Sequence, residues 1–127
     1  MEDSGSIIFK EECYQIVGIC MEIHRILSLG LLEIVYKDAM EYEFKQNNIP
    51  FEREKRFDVQ YKDIILPHNF YADFVAFNDI ILEVKAFSEI NKDHIKQALN
   101  YISIAKSPLG LILNFVSQSF QHRRVIN

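Results

Sequence analysis

Two consecutive apolar runs, Tyr71-Ala72-Asp73-Phe74-Val75-Ala76-Phe77 and Ile80-Ile81-Leu82-Glu83-Val84-Lys85-Ala86, have the β-branched, aromatic and small apolar content of neighbouring buried strands. Both are interrupted by charge. An unpaired charge buried among apolar neighbours costs several kcal/mol, roughly, so Asp73 and Glu83 each need a partner. A metal ion held by both carboxylates, an ion-pair cluster with Lys85, and a solvated sheet face all satisfy that need, and these residues alone leave the three readings open.

Strand alternation narrows the geometry. Glu83 and Lys85 share a face, and Asp73 joins them only if the connecting loop has the right length. A two-residue turn at Asn78-Asp79 would set Asp73 opposite Val84 and turn it away from Glu83. A three-residue loop, Phe77-Asn78-Asp79, or a five-residue one, sets Asp73 directly across from Glu83. The odd loop, or an equivalent bulge, is therefore expected.

The chain has 127 residues, 49% of them hydrophobic and 13% aromatic, enough for one core. One domain over residues 9–127 is expected, after a flexible tail at residues 1–8. The acidic, polar opening Met1-Glu2-Asp3-Ser4-Gly5-Ser6 is unlike a secretory signal, and no apolar run approaches about 18 residues, so a cytoplasmic protein without a membrane partner is expected. Cys13 and Cys20 lie on one helical face, too far apart for a disulfide within a straight helix, and read as reduced core residues. The net charge of −4 argues against bulk electrostatic adhesion to nucleic acid but not against a nucleic-acid enzyme. Basic residues at Arg53, Lys55, Arg56, Lys92, Lys96, Arg123 and Arg124 could form a rim around an acidic centre or be solvated surface cations.

Phe9, Cys13, Ile16, Cys20, Ile23 and Leu27 recur at helical spacing and predict a long first helix over 9–27. Ser28-Leu29-Gly30 breaks it. A second helix follows over 32–46, stopped near Asn47-Asn48 and Pro50. Strands are predicted over 51–61, 65–77 and 80–86 as an antiparallel meander. A third helix capped by Asn91 runs to Ala105, an apolar strand covers 109–115, and an edge is possible at Arg124-Val125-Ile126. The layout is an α/β (α+β) ααβββαβ fold, a sheet with helices packed against it.

The helices carry further candidates. Glu33 falls in the first turn of the second helix, where the dipole favours an acid by about 0.3–1 kcal/mol. Glu33, Tyr36, Lys37 and Met40 share a side, so Tyr36 can reach the same pocket. His24 lies near the Gly30 break and either faces that pocket or is a half-buried helix-end residue. On the third helix His94, Gln97 and Tyr101 form a polar stripe. If that stripe borders the acids, Gln97 and Tyr101 could hydrogen-bond a phosphate or orient Lys85.

Taken in order, Gly30-x-x-Glu33-x-x-Tyr36, Tyr71-Ala-Asp73-Phe, Leu82-Glu83-Val-Lys85-Ala, His94-x-x-Gln97-x-x-x-Tyr101 and Gly110-Leu-Ile-Leu-Asn114-Phe115 resemble the GxxExxY family, a small prokaryotic branch of the PD-(D/E)xK nuclease-like superfamily. The resemblance runs from about Ile16 to Val125. It implies a restriction-endonuclease-like αβββαβ core with a mixed central sheet flanked by helices, Asp73, Glu83 and Lys85 in the catalytic positions, and Glu33 as the helix acid. Gln97 and Tyr101 resemble the QxxxY motif of exonuclease-like members. Ser28-Leu29-Gly30 stands where a Gly-Pro-Gly-like turn is usual, and Ala72 where the superfamily name has Pro.

With that resemblance the residues lead to an expected Mg²⁺- or Mn²⁺-dependent phosphodiesterase acting on nucleic acid, specifically DNA. Asp73, Glu83, the Val84 carbonyl and Glu33 are the expected metal ligands, Lys85 the catalytic lysine, and Gln97, Tyr101, Tyr36 and His94 the expected phosphate-binding groups. The rival is a non-catalytic nucleic-acid- or protein-binding module that keeps the nuclease fold. A partner subunit supplying DNA affinity also fits the acidic balance, and an apolar helix face or the C-terminal edge strand could support a homodimer.

Overall fold

The computed structural model describes residues 7–115 and 118–127. The elements in chain order are α1 (Lys10–Leu27), α2 (Glu33–Gln46), β1 (Phe51–Tyr61), β2 (Ile64–Ala76), β3 (Ile80–Lys85), α3 (Lys92–Ala105), β4 (Leu109–Asn114) and β5 (Gln121–Ile126). Most of the expected tail, residues 1–6, lies outside the described residues, and the exposed Ile7 and Ile8 lead into α1. No described helix is long and apolar enough to cross a membrane.

The five strands form one sheet in sequential order. β1, β2 and β3 make the expected antiparallel meander, β4 runs parallel to β3, and β5 pairs antiparallel to β4. A parallel neighbour cannot be reached by a hairpin, so the chain crosses over through α3. β5 begins at Gln121, earlier than Arg124, because its polar opening residues lie on a largely solvated edge where only Val125 is buried. Apolar patterning has no purchase on such a strand; pairing with β4 defines it.

Each face of the sheet carries its own core. On one, Cys13, Ile16, Cys20 and Ile23 of α1 and Tyr36, Met40 and Phe44 of α2 pack on Phe74, Ile80, Leu82, Val84 and alternate leucines of β4. Both cysteines are buried free thiols, as expected. On the other face Ala98 and Ile102 of α3 pack on Phe70, Ile81, Ile112 and Val125. A strand covered on both faces is apolar throughout, which accounts for the uninterrupted β4 sequence.

Gly110 lets α3 approach β4 closely: a Cβ there would stand 2.9 Å from Ile102 Cγ2. Gly110→Ala is expected to cost about 1–3 kcal/mol by overpacking, read as a lower urea midpoint at unchanged m-value.

The long β1–β2 hairpin changes cores midway. Phe51 and Phe74 pack in the first core, whereas Phe57, Phe70 and Ala72, of the same parity along their strands, pack in the second. Regular alternation forbids this. The change falls at Glu54, whose φ of 54° is left-handed. Arg53 pairs with Phe74 and Lys55 with Ala72, but the Glu54–Asp73 pair between them is missing from the ladder. A non-glycine residue held there costs of order 1–2 kcal/mol.

Candidate active site

The site forms where β2 and β3 part. Their ladder comprises Ala76–Ile80, Val75–Ile81 and Phe74–Leu82, closed by the three-residue loop that alternation requires. Phe77 and Asn78 are both left-handed, and Asp79 N donates to Ala76 O at 3.3 Å, the pattern of a type I′ turn. Asp73 and Glu83 are thus the next facing residues, and the ladder stops just before them. Each patches the other strand's open backbone. Asp73 N donates to Glu83 Oε2 at 3.2 Å, and Val84 N donates to Asp73 Oδ2 at 2.7 Å.

Glu83 is only 5% exposed. Burial and the neighbouring Asp73 charge push its carboxyl up to about 8, against smaller lowering effects from the Asp73 backbone N–H and from Lys85 and Lys37. Two acids this close, one of them desolvated, are the arrangement that a cation relieves.

Lys85 leaves the same strand on the Glu83 face, and its Nζ donates to Gln97 Oε1 at 2.9 Å. α3 is aimed by its N-terminus: Asn91 Oδ1 accepts from His94 N at 3.0 Å, and His94 Nδ1 accepts from Asn91 N at 3.2 Å. This capping box occupies one His94 nitrogen, and the ring packs against Phe87 at 4.5 Å, so His94 acts as a helix cap. One helical turn beyond Gln97, Tyr101 stacks on Phe70 at 4.0 Å. Burial, with smaller effects from the charges of Glu83 and Asp73, raises its hydroxyl pKa. The fully buried Asn114 clamps the chain just after Lys85, accepting from Phe87 N at 3.0 Å and donating to Phe87 O at 2.8 Å.

Besides His94, expected at a phosphate but engaged in capping α3, two expected residues land elsewhere. Tyr36 is fully buried and stacked on Phe115 at 4.6 Å. Its hydroxyl donates to Ser28 O at 2.7 Å and accepts from Leu31 N at 3.2 Å, tying the turn in which Gly30 takes φ 96°. Buried and committed to that turn, it cannot meet a phosphate. Glycine is needed for the left-handed turn and tyrosine to close it, so this part of the motif is a helix-starting device. Glu33 stays exposed at the first position of α2, favoured by the dipole. It does not join Asp73 and Glu83 as a ligand: among the described residues no three His, Cys, Asp or Glu side chains gather into a metal-holding group. His24 lies with its ring 6.3 Å from that of Phe120.

The place beside Asp73 belongs instead to Lys37, one turn beyond Glu33, whose Nζ donates to Asp73 Oδ1 at 2.9 Å and to Glu54 Oε2. Burial alone would lower its pKa, but the hydrogen bonds to Glu54 and Asp73 outweigh that and raise it. Neither Lys37 nor Glu54 stood out in sequence. The available signal was a lysine on the side of α2 that carries Tyr36 and Met40. The basic run at 53–56 is largely neutralised, with Arg53 paired to Asp38 and Glu41, Lys55 to Glu52 and Arg56 to Asp58.

Asp73 and Glu83 offer the hard carboxylate oxygens that Mg²⁺ and Mn²⁺ take, and a fully satisfied shell would be completed by backbone, water or phosphate oxygens. The donor chemistry fits a divalent ion through two acids rather than three.

Three helices about a five-stranded mixed sheet, with this acid–acid–lysine set at the parting of two strands, define a restriction-endonuclease-like α+β protein. The family model of the PD-(D/E)XK nuclease superfamily matches residues 10–125, and the chain belongs to that superfamily. Nucleases of this superfamily typically use divalent metal ions. The fold is also similar to the crystal structure of SSO0001, with a TM-score of 0.60 at 15% sequence identity. That likeness covers 94% of this chain and 60% of the other, so this chain spans about 60% of its length. No protein of curated function matches significantly.

Proposed function

We propose that this protein is a Mg²⁺- or Mn²⁺-dependent nuclease that hydrolyses phosphodiester bonds of DNA. The observation that carries the reading is the reciprocal pairing of Asp73 and Glu83 across the parted strands, with Lys85 following on β3 and held by Gln97. Asp73 and Glu83 are the proposed ligands, with the Val84 carbonyl as a backbone donor. When bound, a divalent cation supplies positive charge that offsets charge growing on the attacked phosphate and acidifies nearby water. Lys85, kept in place by Gln97, orients the attacking water and offsets negative charge on the phosphate. Gln97 and Tyr101 border the position the phosphate would take. The turn made by Gly30 and closed by Tyr36 supports the finer placement in the GxxExxY branch.

The test is a cleavage assay on single-stranded, double-stranded and branched DNA and on RNA, with Mg²⁺, Mn²⁺ or chelator. Cleavage of DNA is expected only with the metal, and Lys85→Ala and Asp73→Ala should each lower it by about 10²–10⁴-fold or more while the protein stays folded. Undiminished cleavage by either variant would remove the assignment. A second reading, a binding module retaining the fold, draws on one observation: Lys37 already neutralises Asp73. Nucleic-acid binding without cleavage under any metal condition would favour it.

A further inference from the structure

One charged group at the site takes no part in the reaction proposed above. Lys37 is 8% exposed, and its ammonium is shared between Asp73 Oδ1 and the Glu54 carboxylate. Glu54 reaches it from a left-handed position in the middle of β1, where the ladder pair with Asp73 is missing although both flanking pairs are present. The Glu54 side chain is half exposed, whereas that of Asp73 is 20% exposed. One ammonium therefore has two seats: an inner one on the partly buried Asp73 and an outer one facing solvent.

We propose that Lys37 is a resident counter-ion which holds the cation seat at Asp73 until a divalent ion enters, and that Glu54 is the second seat to which its ammonium withdraws. This rests on the reading of Asp73 and Glu83 as metal ligands. Lys37 Nζ already donates to the Asp73 carboxylate that would hold the ion, and like charges on one carboxylate repel strongly in a poorly solvated site. An ammonium driven from its carboxylate without another acceptor would bear a large desolvation cost, so a device of this kind needs a nearby alternative acid. Glu54 meets that requirement and explains why a strained residue is kept in mid-strand. In the metal-free protein the same ammonium offsets the charge of Asp73 beside the buried Glu83. The contact thus stabilises Asp73 when no ion is bound and sets a threshold for binding one.

Calorimetric titration of the whole chain with Mn²⁺ at fixed pH and ionic strength tests this, using wild type, Lys37→Met, Glu54→Gln and Asp73→Asn, with a melting curve of each to confirm folding. Lys37→Met should bind Mn²⁺ at least about tenfold more tightly, the factor that about 1.4 kcal/mol of relieved repulsion gives. Glu54→Gln should bind severalfold more weakly, because the ammonium is left with Asp73 as its only anionic seat. Asp73→Asn should lose binding. Wild-type binding that Lys37→Met leaves unchanged or weakens would overturn the counter-ion role while leaving the ligand assignment standing. If Lys37→Met does not fold, Glu54→Gln decides, and unchanged or tighter binding by it overturns the proposal. Absence of Mn²⁺ binding in wild type and Lys37→Met alike would remove both the proposal and the metal reading beneath it.

Discussion

Glu83→Gln is expected to abolish metal-dependent cleavage and, measured without divalent ions at neutral to mildly alkaline pH, to unfold at a higher urea concentration than the wild type. The two effects share a cause. The Glu83 carboxyl is raised from 4.5 to about 8 by burial and by Asp73. Between those values the unfolded chain has released the proton and the folded one retains it, so the folded state binds more protons. Stability therefore falls as pH rises from about 4.5 to about 8 and levels off above, with about 5 kcal/mol as an upper figure for the total. Glutamine carries no charge and escapes this loss. Urea midpoints of wild type and Glu83→Gln across that pH range should start close together and separate as pH rises. Saturating Mg²⁺ should narrow the gap by stabilising the wild type alone. Parallel pH profiles would show that Glu83 is not the buried, charge-crowded acid described above.

Phe74→Ala should lower stability by about 3–5 kcal/mol, a large part of the roughly 5–15 kcal/mol typical of a whole domain. Phe74 is fully buried and meets the edges of Phe44 at 5.4 Å and Phe51 at 5.9 Å between ring centres. Arg53 lies over its ring at 5.8 Å. Truncation removes the transfer free energy of the ring and leaves a cavity among elements that cannot close on it, since the three rings come from a helix and two paired strands. Phe74 also forms the last β2–β3 pair before the site, opposite Leu82. Cleavage is therefore expected to fall further than the folded fraction explains, through looser placement of Asp73 and Glu83. Phe74→Leu, which keeps most of the volume, should cost less. A loss below about 1 kcal/mol for Phe74→Ala would mean that this cluster does not hold the hairpin.

The local elements were legible because their signals are local. The stripe from Cys13 to Ile23, the Asn91 cap and the unbroken apolar β4 each report burial on a fixed period, and the elements lie where those periods put them. The facing of Asp73 and Glu83 was legible on the premise that the two acids share a site, because strand alternation then requires an odd loop. Helical spacing put Gln97 and Tyr101 on one face, but that Gln97 meets Lys85 was decided by the packing of α3. Less could be read where an acid or a hydroxyl has several outlets. Glu33 and Tyr36 share a helix side, yet the tyrosine turns inward to close its own turn and the acid remains in solvent.

The linear chain by itself determined the periods and the caps, since each depends only on residue types a few positions apart; the parity of the β2–β3 loop it required only if the two acids were to share a face. Only the tertiary structure decided that β1 and β2 change cores at Glu54, that β5 begins at Gln121, and that Lys37 reaches across to Asp73. Those outcomes depend on charges and strands far apart in sequence, whose pairing is selected by desolvation and packing when the sheet assembles. No local pattern encodes which buried acid a lysine from another element will meet.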